Sequence, residues 1–179
     1  MTLSELYYSG KYNTDRNTDH SYIDHFYDEV FSNIKNVSNI LEIGVCGGGG
    51  IMLWKDYFQD ALIDCIDTDD YKNYVDHPRV NFIQKDAYSL QTIWSLPNKT
   101  YDIMIDDGPH ILSSQIFFLE NYIKLLRPGG LAIIEDIQSY DWFNILTRHV
   151  PSGYTHTAVD LRPIKGRYDD MIFFVRKDS

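Results

Sequence analysis

The sequence predicts an α/β fold: a mostly parallel, seven-stranded sheet with helices on both faces and a C-terminal antiparallel hairpin. Short, nearly continuous apolar runs alternate with helical patterns, as strands buried on both faces do. The first run ends in a glycine-rich turn that opens a helix. The last two runs have no helical pattern between them, which joins them as a hairpin.

The elements follow in order. Tyr22, Ile23, Phe26, Tyr27, Val30, Phe31 and Ile34 recur at helical spacing and predict an amphipathic helix behind a polar, Tyr-rich start. Asn39–Gly44 is the first strand and Gly50–Phe58 the helix that the glycine turn opens. Ala61–Asp67 and Val80–Gln84 are the next two strands, followed by a helix over Ala87–Ser95 that Pro97 closes. Tyr101–Asp106 is the fourth strand, Ser113–Leu126 a helix stopped by Arg127–Gly130, and Leu131–Glu135 the fifth strand. Asp141–His149 reads as a helix, and Tyr154–Leu161 and Met171–Arg176 as the hairpin. The 179 residues suit one domain, with 1–37 as an N-terminal cap and helix and 38–179 as the core.

Composition narrows the partners. Sixteen Lys and Arg against 26 Asp and Glu give a formal charge of −10, which argues against nucleic acid or a membrane surface held by bulk electrostatics. The surplus of carboxylates is compatible with a bound cation. Cys46 and Cys65 stand in or beside apolar segments and form no disulfide framework or metal knuckle. The first residues show neither a basic n-region nor an apolar h-region, and no apolar run approaches a membrane span. A cytoplasmic protein with reduced thiols is the expectation.

In a parallel sheet, ligands bind beyond the carboxyl ends of the strands. The first strand ends LEIGVCGGGG, residues 41–50, where glycines let a ligand approach the backbone and the next helix offers free N–H groups. NAD, FAD and S-adenosylmethionine all use such turns, and a tight turn without ligand is the plain alternative. Glu42, two residues before Gly44, favours S-adenosylmethionine, and the spacing to Gly47 lacks the second glycine of GxGxxG. Asp67 ends the second strand, placed to accept from ribose hydroxyls; Asp69 and Asp70 read as a solvated helix start. Asp86 follows the third strand, where it suits an adenine amino group, a helix N-cap, or both. The fourth strand ends IDDGPH, packing Asp106, Asp107 and His110 into one turn, and the fifth ends with Glu135 and Asp136. Acids this close raise one another's pKa, and a hard cation, Mg²⁺, Ca²⁺ or Mn²⁺, resolves the conflict. Solvated strand-end acids are the alternative.

These residues resemble class I S-adenosylmethionine-dependent methyltransferases with a Rossmann-like fold, and more narrowly the metal-dependent macrolide sugar O-methyltransferases of the mycinamicin and demethylmacrocin type. The matching segments are KYNTDR (11–16) with His20-Ser21-Tyr22, LEIGVCGGGG with MLWKDYF (52–58), IDCID (63–67), QKDA (84–87), IDDGPH (105–110) and LRPGGLAIIEDI (126–137). The resemblance implies S-adenosylmethionine held by Glu42, Gly44, Gly47, Asp67, Asp86 and Asp106, with Thr14 and Asp15 on a segment closing over the cofactor side. It implies a metal on Asp107, Glu135 and Asp136, and His110 as the general base. The expected activity is methyl transfer to a hydroxyl of a small-molecule or glycan sugar, with no nucleic-acid or membrane partner and a homo-oligomer left open. A structural hydrogen bond is the alternative for His110. The chain departs from the commoner KYGTDK at Asn13 and Arg16, and has Pro109 where serine is frequent. The macrolide enzymes carry a further N-terminal portion. A catechol-type O-methyltransferase, a non-catalytic adenosylmethionine-binding module and a nicotinamide oxidoreductase are the competing functions. The Tyr-rich start (Tyr7, Tyr8, Tyr12) and the segment Arg162–Arg167 are the stretches expected to touch an acceptor.

Overall fold

The computed structural model describes residues 1–179. Its centre is a seven-stranded sheet of order β3-β2-β1-β4-β5-β7-β6. The strands are β1 (Asn39–Ile43), β2 (Leu62–Asp67), β3 (Val80–Gln84), β4 (Tyr101–Asp106), β5 (Leu126–Ile134), β6 (Tyr154–Asp160) and β7 (Met171–Lys177). β1 to β5 run parallel. β7 inserts antiparallel between β5 and β6, so the hairpin closes one edge of the sheet.

Because side chains alternate across a strand, each central strand feeds two cores. Ile40, Ile63, Ile103, Ile105, Leu131 and Ile133 pack on one face with Tyr27, Phe31 and Trp54. Leu41, Ile43, Ile66, Met104, Ala132 and Ile134 pack on the other with Phe118, Tyr122 and Leu146. The first face is covered by α1 (Leu3–Tyr7), a π-helical turn Ile23–Tyr27 leading into α2 (Asp28–Ser32), and α3 (Gly49–Tyr57). The second is covered by α4 (Leu90–Ser95), α5 (Leu112–Phe117) and α6 (Trp142–Arg148).

Several boundaries differ from the sequence expectation. The first amphipathic helix begins with a π-helical turn, which sets Tyr22 and Tyr27 toward the strand ends. The helix expected over 113–126 is α5, a π-helical turn Phe118–Tyr122 and a 3₁₀ turn Ile123–Leu125. β5 starts at Leu126, because the Pro128–Gly130 stretch still follows the sheet; the pairing to β4 shifts register between Tyr101 and Ile103. α4 is shorter than expected because Ser89, not Asp86, caps it by accepting from the Thr92 amide. Two short helices carried no usable period: α1, capped by the Thr2–Glu5 box, and α7 (Arg162–Lys165) within the hairpin connection.

Candidate active site

A cavity of about 440 Å³ opens at the carboxyl ends of β1, β2, β3 and β4. That is within the usual range for a small-molecule site. Asp15, Gly44, Cys46, Asp67, Asp86 and Tyr88 are among the residues lining it, and Asp107, His110 and Asp136 complete its rim. The edge of the sheet brings these groups together because every parallel strand delivers its C-terminal residue to the same side.

The glycine turn has two tasks. Gly44 (φ +89°) lies against the Asp107 carbonyl, where a Cβ would come within 1.9 Å. Gly49 and Gly50 face the N-terminal segment instead: a Cβ on Gly49 would stand 1.9 Å from the Asn13 carbonyl oxygen, and one on Gly50 2.1 Å from Arg16 Nη1. Part of the glycine run therefore makes room for the protein's own chain. Gly47 (φ +82°) faces Asn13 and does not line the cavity.

Asp67 accepts from the Val45 amide at 2.8 Å and from the Asp69 amide at 3.0 Å, which ties the end of β2 to the glycine turn. Asp86 accepts from the Tyr88 amide at 2.9 Å. Both carboxylates remain on the cavity wall, a donor-seeking pair spaced along two neighbouring strand ends. Asp106 is turned away from the cavity toward the opposite core, where the Tyr88 hydroxyl donates to it and its second oxygen is buried without a partner. Burial pushes its pKa up to about 7 against the lowering pull of that hydroxyl. Thr14 does not line the cavity; its hydroxyl accepts from the Arg16 amide.

On the β4–β5 side, ligand-type atoms of Asp107, His110 and Asp136 all lie within 4.8 Å of one another. A carboxylate–imidazole–carboxylate set at that spacing fits a hard or borderline divalent cation. His110 and Asp136 both hold left-handed backbone, φ 55° and 53°, a costly conformation for residues with a Cβ. Asp136 Oδ2 lies 2.8 Å from His110 Nδ1 as an ion-pair contact, and Asp136 Oδ1 accepts from the Tyr22 hydroxyl at 2.6 Å. His110 Nε2 is left 3.7 Å from Asp107 Oδ1. Burial works to lower the His110 pKa, but the hydrogen bond and charge of Asp136, with Glu135 and Asp106 behind it, hold it above the ordinary value. Burial likewise pushes Asp107 well up, against the pull of Arg16.

Two further expected site residues lie off the cavity. Glu42 and Glu135 do not line the cavity and are buried, at 1 % and 2 % exposure. Arg16 reaches both. Glu42 also accepts from the Trp54 indole N–H, and Glu135 from the Tyr27 hydroxyl at 2.5 Å. Their cover explains this placement: Arg16, Trp54 and Tyr27 close over Glu42 and Glu135, whereas Asp107, past the end of β4, and Asp136, past the end of β5 at φ 53°, reach the cavity.

Arg16, Tyr22, Tyr27 and Tyr88 were not among the expected site residues. Tyr27 stood only as an apolar position of the helical pattern and Tyr22 also in a matching segment without an assigned role, and nothing in the pattern marks which hydroxyl meets an acid. The Tyr-rich start turns outward or back on the core: Tyr8 donates to Asp24 and Tyr12 to Asp56. In the other expected acceptor stretch, Lys165 of α7 donates to the carbonyls of Asn17, Thr18 and His20 and pins the N-terminal segment to the hairpin.

No family model matches the chain. The strand order, the antiparallel hairpin and the position of the cavity are those of the class I methyltransferase fold. MycE methyltransferase from the mycinamycin biosynthetic pathway, solved with Mg, SAH and mycinamycin VI, superposes with a TM-score of 0.74 at 24% identity, covering 99% of this chain and 54% of that one. N-methyltransferase NodS from Bradyrhizobium japonicum, solved with S-adenosyl-L-homocysteine, gives 0.60 at 14% identity over 99% of this chain and 98% of that one.

Within that class, the chain is related in sequence to macrolide and sugar O-methyltransferases. Mycinamicin VI 2''-O-methyltransferase of Micromonospora griseorubida is 33% identical over 126 residues, 65% of this chain and 31% of that protein. A rhamnosyl tetracenomycin-C 2'-O-methyltransferase of Streptomyces olivaceus is 32% identical over 112 residues, 58% of this chain and 29% of that protein. Demethylmacrocin O-methyltransferase of Streptomyces fradiae is 31% identical over 126 residues, 65% and 32% respectively. The chain thus spans about a third of the length of these curated relatives.

Proposed function

We propose that this chain is an S-adenosylmethionine-dependent O-methyltransferase acting on a hydroxyl of a sugar, free or within a larger small molecule or glycan. The observation that carries this is the sharing of one cavity by two sets of groups. Asp67 and Asp86 stand beside the glycine turn, and Asp107, His110 and Asp136 stand at the opposite rim. The relatives' names favour a sugar acceptor over a catechol. The 179 residues act as one domain, in the cytoplasm, on a small molecule rather than on nucleic acid or a membrane; no helix is long and apolar enough to cross a bilayer.

Bound in this cavity, S-adenosylmethionine supplies an electrophilic methyl group, and a divalent cation such as Mg²⁺ supplies Lewis acidity to the acceptor oxygen. Asp67 and Asp86 receive the nucleoside through its hydroxyl and amino donors, and Gly44 keeps the floor of the turn flat. Asp15 covers the cavity from the N-terminal segment. Asp107 and Asp136 hold the cation side. His110 Nδ1 pairs with Asp136 at 2.8 Å, which holds the ring and leaves Nε2 as the free basic atom. That nitrogen is placed to take the acceptor hydroxyl proton while the methyl group passes from sulfur to that oxygen, which would leave S-adenosylhomocysteine.

Calorimetry of the purified chain against S-adenosylhomocysteine and NAD tests the cofactor. Mass-spectrometric assay over a panel of sugars and catechols, with and without EDTA, tests the reaction. Adenosylhomocysteine binding, no NAD binding and EDTA-sensitive methylation of a sugar are expected. Binding of NAD alone, or methylation that survives exhaustive chelation, sinks the corresponding half.

A further inference from the structure

Arg16 lies on the segment between α1 and the Ile23–Tyr27 turn, and methyl transfer as derived above does not use it. It is 3% exposed. Its Nε donates to the two Glu135 oxygens at 2.8 and 3.0 Å, and its Nη2 lies 2.7 Å from Glu135 Oε2. The same Nη2 donates to Glu42 Oε1 at 3.1 Å and to Asp107 Oδ2 at 2.8 Å. The guanidinium stands 5.4 Å from the centre of the Trp54 ring, and the absent side chain of Gly50 leaves room for Nη1. A charge this deeply buried is stable only when fully paired, and here one cation answers three carboxylates.

The division of Asp107 is the telling feature. Oδ2 goes to Arg16, and Oδ1 is the oxygen facing His110. Glu135 has nothing comparable to offer the cavity, because it does not line it and Arg16 and Tyr27 hold its oxygens on the buried side. We propose that Arg16 is a positioning residue. It is a built-in counter-cation that withholds Glu135 from the cation site and turns Asp107 so that Oδ1 faces the space it shares with His110 and Asp136. The acids that meet a divalent ion in this chain are then Asp107 and Asp136, with Glu135 sealed behind the guanidinium. This rests on the proposed function only for the existence of a cation site at Asp107 and Asp136.

The probe is Mn²⁺ alone, titrated into the ligand-free full chain by calorimetry, with no acceptor and no turnover. Glu135→Gln in the otherwise native chain leaves Mn²⁺ affinity within about 2-fold, because Glu135 is not a donor. Arg16→Gln frees Glu135 and the second Asp107 oxygen and tightens Mn²⁺ by about 10-fold or more, the scale on which groups around a metal act. Adding Glu135→Gln to Arg16→Gln removes that gain, and Arg16→Lys, which restores the charge, returns the affinity toward the native value. Mn²⁺ also recovers the melting temperature that Arg16→Gln loses. A merely structural arginine leaves Mn²⁺ affinity unchanged or weaker in both Arg16 variants, which overturns the inference. So does a loss of about 10-fold or more from Glu135→Gln alone, the mark of a direct ligand, and this second variant decides the matter if Arg16→Gln does not fold. If the native chain binds Mn²⁺ and Arg16→Gln binds it no more tightly, this inference falls and the proposed function stands. If neither binds it, the cation part of the proposed function falls too.

Discussion

Glu42 and Glu135 sit at the ends of β1 and β5, and Asp67 and Asp86 at and just past the ends of β2 and β3, all on the carboxyl edge of one sheet. The two glutamates are sealed and share one arginine; the two aspartates line open space and accept from backbone amides. The difference lies in what covers each acid and not in strand face, since Asp67 follows Ile63 and Cys65 on the face that Glu42 shares. The glutamates are covered by Trp54, Tyr27 and the N-terminal segment, so they must find internal partners. The aspartates border a cavity, where a ligand can be the partner. Acidity at a strand end thus marks a place but does not by itself distinguish a ligand-binding acid from one that locks the chain together.

This contrast assigns different consequences to the two regions. The largest effect falls on the open side. His110→Ala is expected to lower methyl-transfer turnover about 10²–10⁴-fold, the range for a positioned general base, with adenosylhomocysteine affinity and melting temperature nearly unchanged. Turnover within a few-fold of native assigns His110 to structure alone. On the sealed side, Arg16→Ala leaves the buried Glu42 and Glu135 and the cavity-facing Asp107 without their cation and is expected to cost about 3–5 kcal/mol of stability, read by urea unfolding of the ligand-free chain. A loss under about 1 kcal/mol means water reaches the cluster and the seal is not as drawn.

A smaller effect sharpens the open side further. Asp67→Ala removes a carboxylate that faces the cavity and also accepts the Val45 amide. Hydrogen bonds to a charged group are worth about 1.5–3 kcal/mol, so adenosylhomocysteine affinity should fall about 10–100-fold by calorimetry. Glu42→Gln, sealed and outside the cavity, is expected to change that affinity far less. Equal losses from the two variants erase the distinction between open and sealed acids.

Much of this was legible beforehand. The apolar runs and the glycine turn give the sheet, its parallel sense and the edge where ligands bind, because buried parallel strands have a distinctive composition. The IDDGPH turn places Asp107 and His110 together simply because they are close in the chain. Arg16 was not legible: it stands 119 residues from Glu135, in a segment without periodicity, and no local pattern says where such a segment folds back. The same distance hid the pairing of Tyr22 with Asp136. Gly49 and Gly50 gave half a signal, since glycine announces a close approach without naming what approaches.

The smallest effect concerns pH and tests the sealed side without disturbing its packing. Burial pushes the Glu42 carboxyl up to about 7, against the pull of Arg16 and with the push of Glu135. In the unfolded chain the same group titrates near the ordinary glutamate value. Between these two values the folded state binds more protons than the unfolded one, so stability falls as pH rises through that window and levels off above it. Asp24, Asp56 and Asp160 have lowered pKa values and act in the opposite sense, but only in the acid range below the window. The ligand-free chain is therefore expected to melt at a lower temperature at pH 7.5 than at pH 5, and Glu42→Gln, which cannot titrate, to show a shallower decline. If Glu42 alone supplies about 1 kcal/mol of the change, the two slopes should differ by about 2–4 °C over that range for a chain of this size. Parallel curves mean that Glu42 stays ionised beside Arg16 throughout, and the three acids and the guanidinium then form a permanently charged cluster rather than one that releases a proton near neutrality.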